Sequence, residues 1–457
     1  MRTIGIDLAV SATHKAIVME ADGQFVTPVL RFRTRWEEIE QLVQRAREGE
    51  APDLPLQAIM EPTGMAWFPV AVALQRLGVA PYLVNGQRVH DLRRFYKRHS
   101  SSDRISARVL AKLPVVDRES LYPLEIPSAP QLACQRGCKE LDRLQTQMTA
   151  IKNRLRDVDR FAWPGLERIF RDIYSPSARF FRRTWYDPAH VVSAGADAVQ
   201  RSFRAYAGSQ DELDWVLELC QLATEVLQLY ALTALDYALL QQQLCRELEH
   251  LEYLEQRAAS LWRHTVRPLY RQLHPSRHLE TIYGVGEQGA AVYVSFIGRA
   301  QRFPDQRHFR GWHGLIPDSR QSGDAESKGL HISKAGPDLI KKFGYLNANI
   351  ARQYDPQIAA IYYDQMVRKG NHHHQAVCAC ATHLLDRVYV ILKQDRPYQL
   401  RDVDHNPVTP TQARSLIAAH YTVPDEVRQR NNRRARKRRA ERRLERKLTQ
   451  KGSRPRK

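Results

Sequence analysis

An aspartate stands inside the first apolar segment of the chain, TIGIDLAV, residues 3–10. This segment predicts a short buried β-strand, and a carboxylate in such a strand is costly unless it is paired or binds a metal. Asp7 therefore favours a fold in which this strand leads into a site that needs a negative charge.

The residues up to about 115 alternate between apolar runs and helical spacing. They predict a strand pair with a turn at Asp22-Gly23, then a helix, a strand, a helix, a strand and two further helices. The segments concerned are 14–33, 35–49, 54–60, 67–78 and 80–84, followed by helices from about 87 and from 103. The order β-β-β-α-β-α-β-α predicts an α/β domain with a mixed sheet.

Two further acids stand at element ends in this region. Glu61 ends the buried strand LQAIM, and Asp103 begins a helix. In a sheet of this order, Asp7, Glu61 and Asp103 can converge on one edge, and three carboxylates with few local cations suit Mg²⁺. Taken singly, Asp103 is better explained as a helix N-cap and Glu61 as a solvated strand end. The set of three favours the metal site.

The middle of the chain is helical in pattern. Apolar residues from 141 to 158 are spaced three and four apart, which is a heptad seam typical of a coiled coil, and Trp163-Pro164 ends it. Helical spacing returns over 211–272, whereas 165–210 allow no firm assignment. An intrachain hairpin with an insert at its tip and a dimer-forming coiled coil are equally compatible with this pattern.

The charge of the chain favours a polyanionic partner. The formal net charge is +20, and residues 427–457 alone hold 16 Lys or Arg against 2 Glu, a net of +14, which leaves +6 for the rest. Both parts are basic, as expected of a protein that binds nucleic acid. Six scattered cysteines without a CxxC pair predict reduced thiols in the cytoplasm, and no apolar run is long enough to predict a membrane span.

Several motifs, in order, resemble the DEDD insertion-sequence transposases, the serine recombinases that a bridge RNA guides. They are IGIDLAVSATHKAIV (4–18), IMEPTG (59–64), SSDRISARVLAKL (101–113), LETIYGVG (279–286), QSG (321–323) and ISKAG (332–336). Each motif is weak alone, but their order and spacing are specific. The resemblance covers most of residues 1–115 and 278–395.

The resemblance implies three regions. These are an α/β RNase H-like (RuvC-like) domain over 1–125, a helical, coiled-coil region with an insert over 126–277, and a mainly α-helical C-terminal transposase domain over 278–400. The polar, arginine-rich composition of residues 401–457 predicts in addition a basic tail, expected to be disordered in isolation.

The same resemblance implies roles for individual residues. Asp7, Glu61 and Asp103 match the first three metal-binding acids, and Ser322 matches the nucleophile that would form a phosphoserine link to DNA. A fourth acid is expected three residues after the third, where this chain has Ser106. Ser106 is therefore either a weak metal ligand or the sign of a lost one.

Partners and location follow from the resemblance. They are donor and target DNA duplexes, a structured guide RNA and further copies of the chain as a dimer or tetramer, in the prokaryotic cytoplasm near the nucleoid. The candidate nucleic-acid contacts are Lys328, Lys334, Arg433, Arg434, Arg436, Lys437, Arg438 and Arg439.

Three other functions remain open from the sequence. The first is a catalytically weakened RNA- or DNA-binding homologue, which Ser106 motivates, and the second is a RuvC-like nuclease without covalent chemistry. A sugar kinase of actin-like fold is the third, although LAVSATHK after Asp7 lacks the glycine-rich phosphate loop of that class.

Overall fold

A computed structural model of the chain forms two compact units, Met1–Ser128 and Ala129–Lys457. It describes residues 1–51, 53–84, 86, 89–90, 92, 103–118, 121, 124–207, 214–230, 234–316, 321–322, 325–326, 332–333 and 336–452. Side chains are described for all of these except 103–105, 321–322, 325–326 and 445–452.

The first unit is built on a five-stranded mixed sheet. Its strands are β1 (Arg2–Asp7), β2 (His14–Met19), β3 (Leu30–Phe32), β4 (Leu56–Met60) and β5 (Val79–Leu83), in the spatial order β3-β2-β1-β4-β5. The strand β1 runs antiparallel to β2 and parallel to β4, and β4 runs parallel to β5. The predicted mixed α/β sheet is confirmed, and its order fits an RNase H-like domain.

Helices cover both faces of this sheet. The helices α1 (Trp36–Arg47) and α2 (Trp67–Arg76) share a core with Ile4 and Ile6 of β1. A third helix, α3 (Asp103–Val116), packs its apolar residues against β1, β2 and β4 on the other face. Because successive side chains of a strand alternate between faces, the even-numbered residues of β1 meet α1 and α2 while the odd-numbered ones face α3.

The second unit begins with a long helical hairpin. The helix α4 (Ala129–Ala162) carries the predicted heptad seam, and Leu144, Met148, Ile151 and Leu155 are buried in one cluster with Leu244, Leu248 and Leu251 of a returning helix. The seam is thus covered within the chain, as in the hairpin alternative. Assembly of two chains along it stays a prediction.

The insert between the two arms of the hairpin is helical. It contains α5 (Leu166–Ile169), α6 (Pro176–Thr184), α7 (Pro188–Ala207) and α8 (Trp215–Leu229), and the returning arm is α9 (Tyr237–Leu261). Arg182 is fully buried, and its Nε and Nη2 atoms donate hydrogen bonds to the two carboxylate oxygens of Asp159. The π-helical turn Trp262–Val266 and α10 (Arg267–Leu273) complete the returning arm.

The C-terminal part of this unit is a helical core. A 3₁₀ turn (His278–Thr281) precedes α11 (Glu287–Ile297), 3₁₀ turn Ala300–Arg302, α12 (Gln306–His313), the two short strands β6 (Gln321–Ser322) and β7 (Ala325–Glu326), α13 (Asp338–Ala351), α14 (Pro356–Tyr363), the π-turn Asp364–Arg368 and α15 (His373–Gln394). By length and composition α15 could cross a membrane, but it is more than half buried among the other helices of this core.

The basic C-terminal segment is partly helical. It contains α16 (Pro410–His420) and α17 (Asp425–Gly452). Asn431 near the start of α17 is 2% exposed, so this helix is docked on the core. The predicted disorder concerns the segment in isolation and stays a prediction, as do the predicted boundaries at 277 and 400.

Candidate active site

Asp7 and Glu61 stand next to each other at the carboxyl edge of the first sheet. The parallel strands β1 and β4 pair Gly5 with Ile59 and Ile6 with Met60. Asp7 and Glu61 each follow the last of these pairs, so the two acids continue in step. Neighbouring strands lie about 4.8 Å apart and matched residues share a face, so we expect both acids to lie on one face of the sheet.

That face is the one on which α3 packs. Ile59 shares a cluster with Val109, Leu110 and Leu113 of α3. Gly5 is in contact with the backbone of the same helix, because a Cβ built on it would lie 2.1 Å from the carbonyl oxygen of Ala107. The acids therefore lie two residues beyond the helix contact on the same face.

The helix brings position 103 to the Asp7 side of this contact. The Arg108 guanidinium lies 5.2 Å and the Lys112 ammonium 5.7 Å from the ring of Phe25. Phe25 forms an antiparallel β-bridge with Met19, and Met19 is paired with the residue at position 3, near the start of β1. The C-terminal half of α3 thus covers the amino end of β1. Its first turn points towards the carboxyl end, where Asp7 stands.

Positions 103 and 106 belong to different stripes of α3. Position 103 is one turn before Ala107 and two before Ala111, which both contact Gly5. Ser106 is one turn before Leu110, in the cluster with Ile59 of β4, and is 6% exposed. Because residues three and four apart share a helix face, position 103 lies on the β1 side and Ser106 on the side nearer Glu61.

The strand β5 closes the other side of Glu61. The N–H of Val84 donates to the carbonyl of Met60 over 2.9 Å, and Gly86 stands two residues further along the chain. A Cβ on Gly86 would lie 2.6 Å from Oε1 of Glu61. The glycine lets the backbone lie directly against this carboxylate.

Cations lie beside the acids, contrary to the sequence-based expectation that few would. In the antiparallel pair of β1 and β2, Asp7 is directly opposite Lys15, and Lys15 is in turn opposite Arg31 of β3. Directly paired residues of antiparallel strands share a face. The row Glu61, Asp7, Lys15, Arg31 therefore changes sign along the edge.

A buried histidine holds the loop that follows Asp7. The backbone N–H of Ala9 donates to Nδ1 of His14 over 3.1 Å, so the ring proton is on Nε2, which lies 2.8 Å from Oγ1 of Thr34. Burial lowers the pKa of His14, which keeps the ring neutral. This fixes the chain direction immediately after the first acid.

The donor set fits a hard divalent cation. Two carboxylates in register on one face, with an acidic position at the start of the helix packed on that face, are oxygen ligands of the kind that Mg²⁺ takes. Among the side chains that the structure describes, no group of three or more His, Cys, Asp and Glu residues could hold a metal. The side chain of Asp103 is outside that description, so the three-acid site stays a prediction.

Ser322 lies at the tip of a β-hairpin in the second unit. It ends β6 and pairs with Ala325 of β7. The hairpin emerges from an anchored base, where the N–H of Ser333 donates to the carbonyl of Ile316 over 2.9 Å. Just before this base, Oγ1 of Thr382 donates to the carbonyl of Leu315 over 2.6 Å.

His313 also holds the backbone at Leu315, just before the hairpin. Its Nδ1 accepts the N–H of Leu315 over 3.1 Å, and its ring is fully buried. Burial lowers its pKa to about 4, although Asp386 acts in the opposite direction. No sequence pattern singles out His313, Lys15 or His14, and only the strand pairing reveals the place of Lys15.

The remaining predicted residues are the candidate nucleic-acid contacts. Lys328 and Lys334 are outside the described residues. The others are exposed cations of α17: Arg433, Arg434, Arg436, Lys437, Arg438 and Arg439. Two histidines of the sequence HHH, which resembles a metal motif, hydrogen-bond to tyrosines instead, His373 to Tyr362 and His374 to Tyr345.

Comparison with known proteins gives matches to both units. A family model for DEDD transposases of the IS110 type matches residues 4–164, and one described as transposase of the IS116/IS110/IS902 family matches residues 276–363. Together they cover more than half of the chain.

Two curated relatives are also similar, both called pilin gene-inverting protein. The one from Moraxella bovis is 26% identical over 128 residues, 28% of this chain and 40% of the relative. The one from Moraxella lacunata is 26% identical over 123 residues, 27% and 38% respectively. The chain thus spans about two fifths of the length of these relatives.

Proposed function

The chain belongs to the IS110 family of transposases, and from this premise we propose that it is a DNA recombinase that mobilises an insertion sequence. The observation that carries the proposal is that Asp7 and Glu61 directly follow the last register pair of β1 and β4, within the first family match. Ser322 lies within the second match. The name of the relatives supports the proposal, because inverting a gene requires DNA to be cut and rejoined.

The proposed chemistry is a phosphoryl transfer through Ser322. Its hydroxyl oxygen forms a bond to the scissile phosphorus while the bond from phosphorus to the leaving deoxyribose oxygen breaks. The serine proton passes to a base, and the leaving oxygen takes up a proton. The phosphoserine diester keeps one phosphoester bond for each bond broken, so the hydroxyl of another DNA end can reverse the step and rejoin the strands.

The acids and their neighbours have separate roles in this scheme. Asp7, Glu61 and Asp103 would hold Mg²⁺, which when bound stabilises negative charge on a transferring phosphoryl group. Lys15 and Arg31 continue the same row, and we assign them to DNA phosphates beside the acids. His14 keeps Asp7 in place by fixing the backbone at Ala9.

The choice of DNA site is proposed to come from a guide RNA. Lys and Arg contacts to phosphate give affinity without sequence preference, and they dominate the candidate contacts of this chain. Base pairing between RNA and DNA would then select donor and target. Because two duplexes must each be cut, at least two copies of Ser322 are needed, which favours a dimer or tetramer.

Ser106 supports one alternative. A buried serine where a fourth carboxylate is expected leaves three acids, and Lys15 opposite Asp7 lowers the negative charge further. A homologue that binds RNA and DNA with weakened cleavage is the second candidate function. A nuclease without a covalent step is the third.

A denaturing gel separates these candidates. The full chain is incubated with RNA transcribed from its flanking DNA, labelled donor and target duplexes and Mg²⁺. We expect a covalent protein–DNA adduct that Ser322→Ala abolishes and Ser327→Ala, a matched change five residues further along the chain, retains. Cleavage without an adduct would favour the nuclease. Tight binding without cleavage would favour the weakened homologue.

A further inference from the structure

The arginine-rich helix α17 is attached to the C-terminal core near its start. Nδ2 of Asn431 donates to the carbonyls of Met366, over 2.7 Å, and of Asn371, over 3.2 Å. Asn432 follows at once, and its Oδ1 accepts the N–H of His373 over 3.1 Å. We call these two asparagines the latch.

The latch satisfies backbone groups that helix ends leave free. Met366 lies in the π-turn Asp364–Arg368, and His373 is the first residue of α15. Terminal carbonyls of one helix and terminal N–H groups of the next have no intrahelical partner. One side chain of the latch supplies a donor and the other an acceptor, so the direction of α17 is set just before the dense run of cations over 433–439.

Beyond the latch the helix buries almost none of the side chains that the structure describes. Almost every side chain described from Arg433 to Leu444 is exposed. The 20 residues from 433 to 452 span about 30 Å at 1.5 Å per residue. Nearly all of the charges in this stretch are positive, and a run of like charges on an exposed helix favours a polyanionic partner.

The cations of α17 point in every direction. With 3.6 residues per turn, Arg433, Arg434, Arg442 and Arg443 lie at about 0°, 100°, 180° and 280° around the axis. A helix lying on a flat phosphate surface would use one side only. Cations on all sides suit a groove, where phosphates line both walls.

The dimensions favour B-form DNA as the partner. An α-helix with side chains is about 10–12 Å across, and the major groove of B-DNA is about 12 Å wide. The major groove of A-form RNA is deep and narrow. We propose that α17 is an arm, held at Asn431 and Asn432, that enters the major groove of duplex DNA. The proposal rests on DNA being the substrate, as proposed above, but not on any cleavage step.

Two triple variants test the groove. The first replaces Arg434, Arg438 and Arg442 with Gln, and the second replaces Arg436, Arg443 and Lys447, which lie on a side about 160° away. The control replaces Arg45, Arg143 and Arg160, whose side chains are 63%, 66% and 67% exposed elsewhere. All three variants lose the same charge.

Binding of the full chain to a 30-base-pair DNA of arbitrary sequence is measured in EDTA at several salt concentrations. Each phosphate contact contributes about 0.9 to the slope of log affinity against log salt. We expect either arm triple to reduce the slope by about 3 and to remove protection of guanine N7, a major-groove atom, from dimethyl sulfate. The control triple should do neither.

The latch has its own signature. Asn431→Ala with Asn432→Ala removes no charge, so the slope should stay unchanged while the affinity falls about tenfold, because an unfixed arm must be ordered on binding.

Several results would overturn the proposal. One is a reduced salt slope in only one of the two arm triples, and another is unchanged protection of guanine N7 in both of them. A third is a salt slope that depends on the arm with duplex RNA but not with duplex DNA. The fourth is a latch variant that binds DNA with the affinity of the parent. Because the assay contains EDTA, failure of the Ser322 chemistry cannot produce any of these results.

Discussion

Replacing Gly5 with alanine tests how α3 brings its first turn to the acids. A Cβ at this position would lie 2.1 Å from the carbonyl oxygen of Ala107 and 2.4 Å from the nitrogen of Ala111. Both atoms belong to the helix backbone, so no rotamer change relieves the clash. The helix itself must move away from β1.

The size of that movement follows from the contact distances. A Cβ atom essentially never approaches closer than 3.0 Å, so α3 must retreat by about 1 Å. Overpacking of this kind costs about 1–3 kcal/mol, which corresponds to a fall in Tm of roughly 4–12 °C for a unit of this size. A misplacement of about 1 Å in an active site costs about a hundredfold in rate.

The assay follows thermal unfolding by circular dichroism and the rate of adduct formation in parallel. Gly311→Ala is the matched control, because a Cβ there meets nothing within 4 Å. We expect Gly5→Ala to lose both stability and rate and the control to lose neither. A Gly5→Ala protein with the melting temperature and adduct rate of the parent would refute the assigned packing of α3 on β1.

Three further predictions concern buried polar groups. Ser106→Asp should lower Tm in EDTA, because it buries a charge, and should increase the stabilisation by Mg²⁺ if the fourth ligand is missing. Arg182→Met should destabilise the helical insert by about 3–5 kcal/mol, because it leaves the Asp159 carboxylate buried without its partner. Burial lowers the pKa of His313 to about 4 in the folded state. The free energy of unfolding should therefore fall by about 2 kcal/mol as the pH drops from 7 to 5, since in this range only the unfolded state binds a proton at this residue. His313→Asn should remove this dependence from denaturant titrations.

Each of these predictions has a matched exposed control. They are Ser193→Asp, Arg154→Met, which breaks the exposed pair with Glu247, and His250→Asn. An exposed ion pair contributes about 1 kcal/mol at most, so Arg154→Met equalling Arg182→Met would contradict the argument. So would a smaller Mg²⁺ response in Ser106→Asp than in the parent, or an unchanged pH slope in His313→Asn.

The sequence was sufficient for elements whose period is clear. The strand at Asp7, the helix ending near Gly49 and the buried strand before Glu61 are found within a few residues of their predicted bounds. The heptad seam predicted α4, but its partner could not be chosen, because spacing alone does not distinguish an intrachain helix from a second chain. The insert over 165–210 escaped prediction since its helices are short and held by aromatic contacts and the buried Arg182 pair.

The site was predictable only in part for a similar reason. Parallel strands end at one edge, so the neighbourhood of Asp7 and Glu61 follows from element order. Lys15 does not, because its place opposite Asp7 depends on the register of an antiparallel pair joined by the loop 8–13. Nor do the hydrogen bonds of Asn431 in the latch, because they reach Met366 and Asn371, which lie 65 and 60 positions earlier in the chain. No local sequence pattern encodes such a contact.

Peptide mapping of the covalent adduct tests the central claim most directly. After nuclease digestion, trypsin releases QSGDAESK, residues 321–328, which contains both Ser322 and Ser327. We expect mass spectrometry to place the residual nucleotide phosphate on Ser322. A nucleotide on Ser327, on a residue outside this peptide or on none would contradict the assignment of Ser322 as the nucleophile.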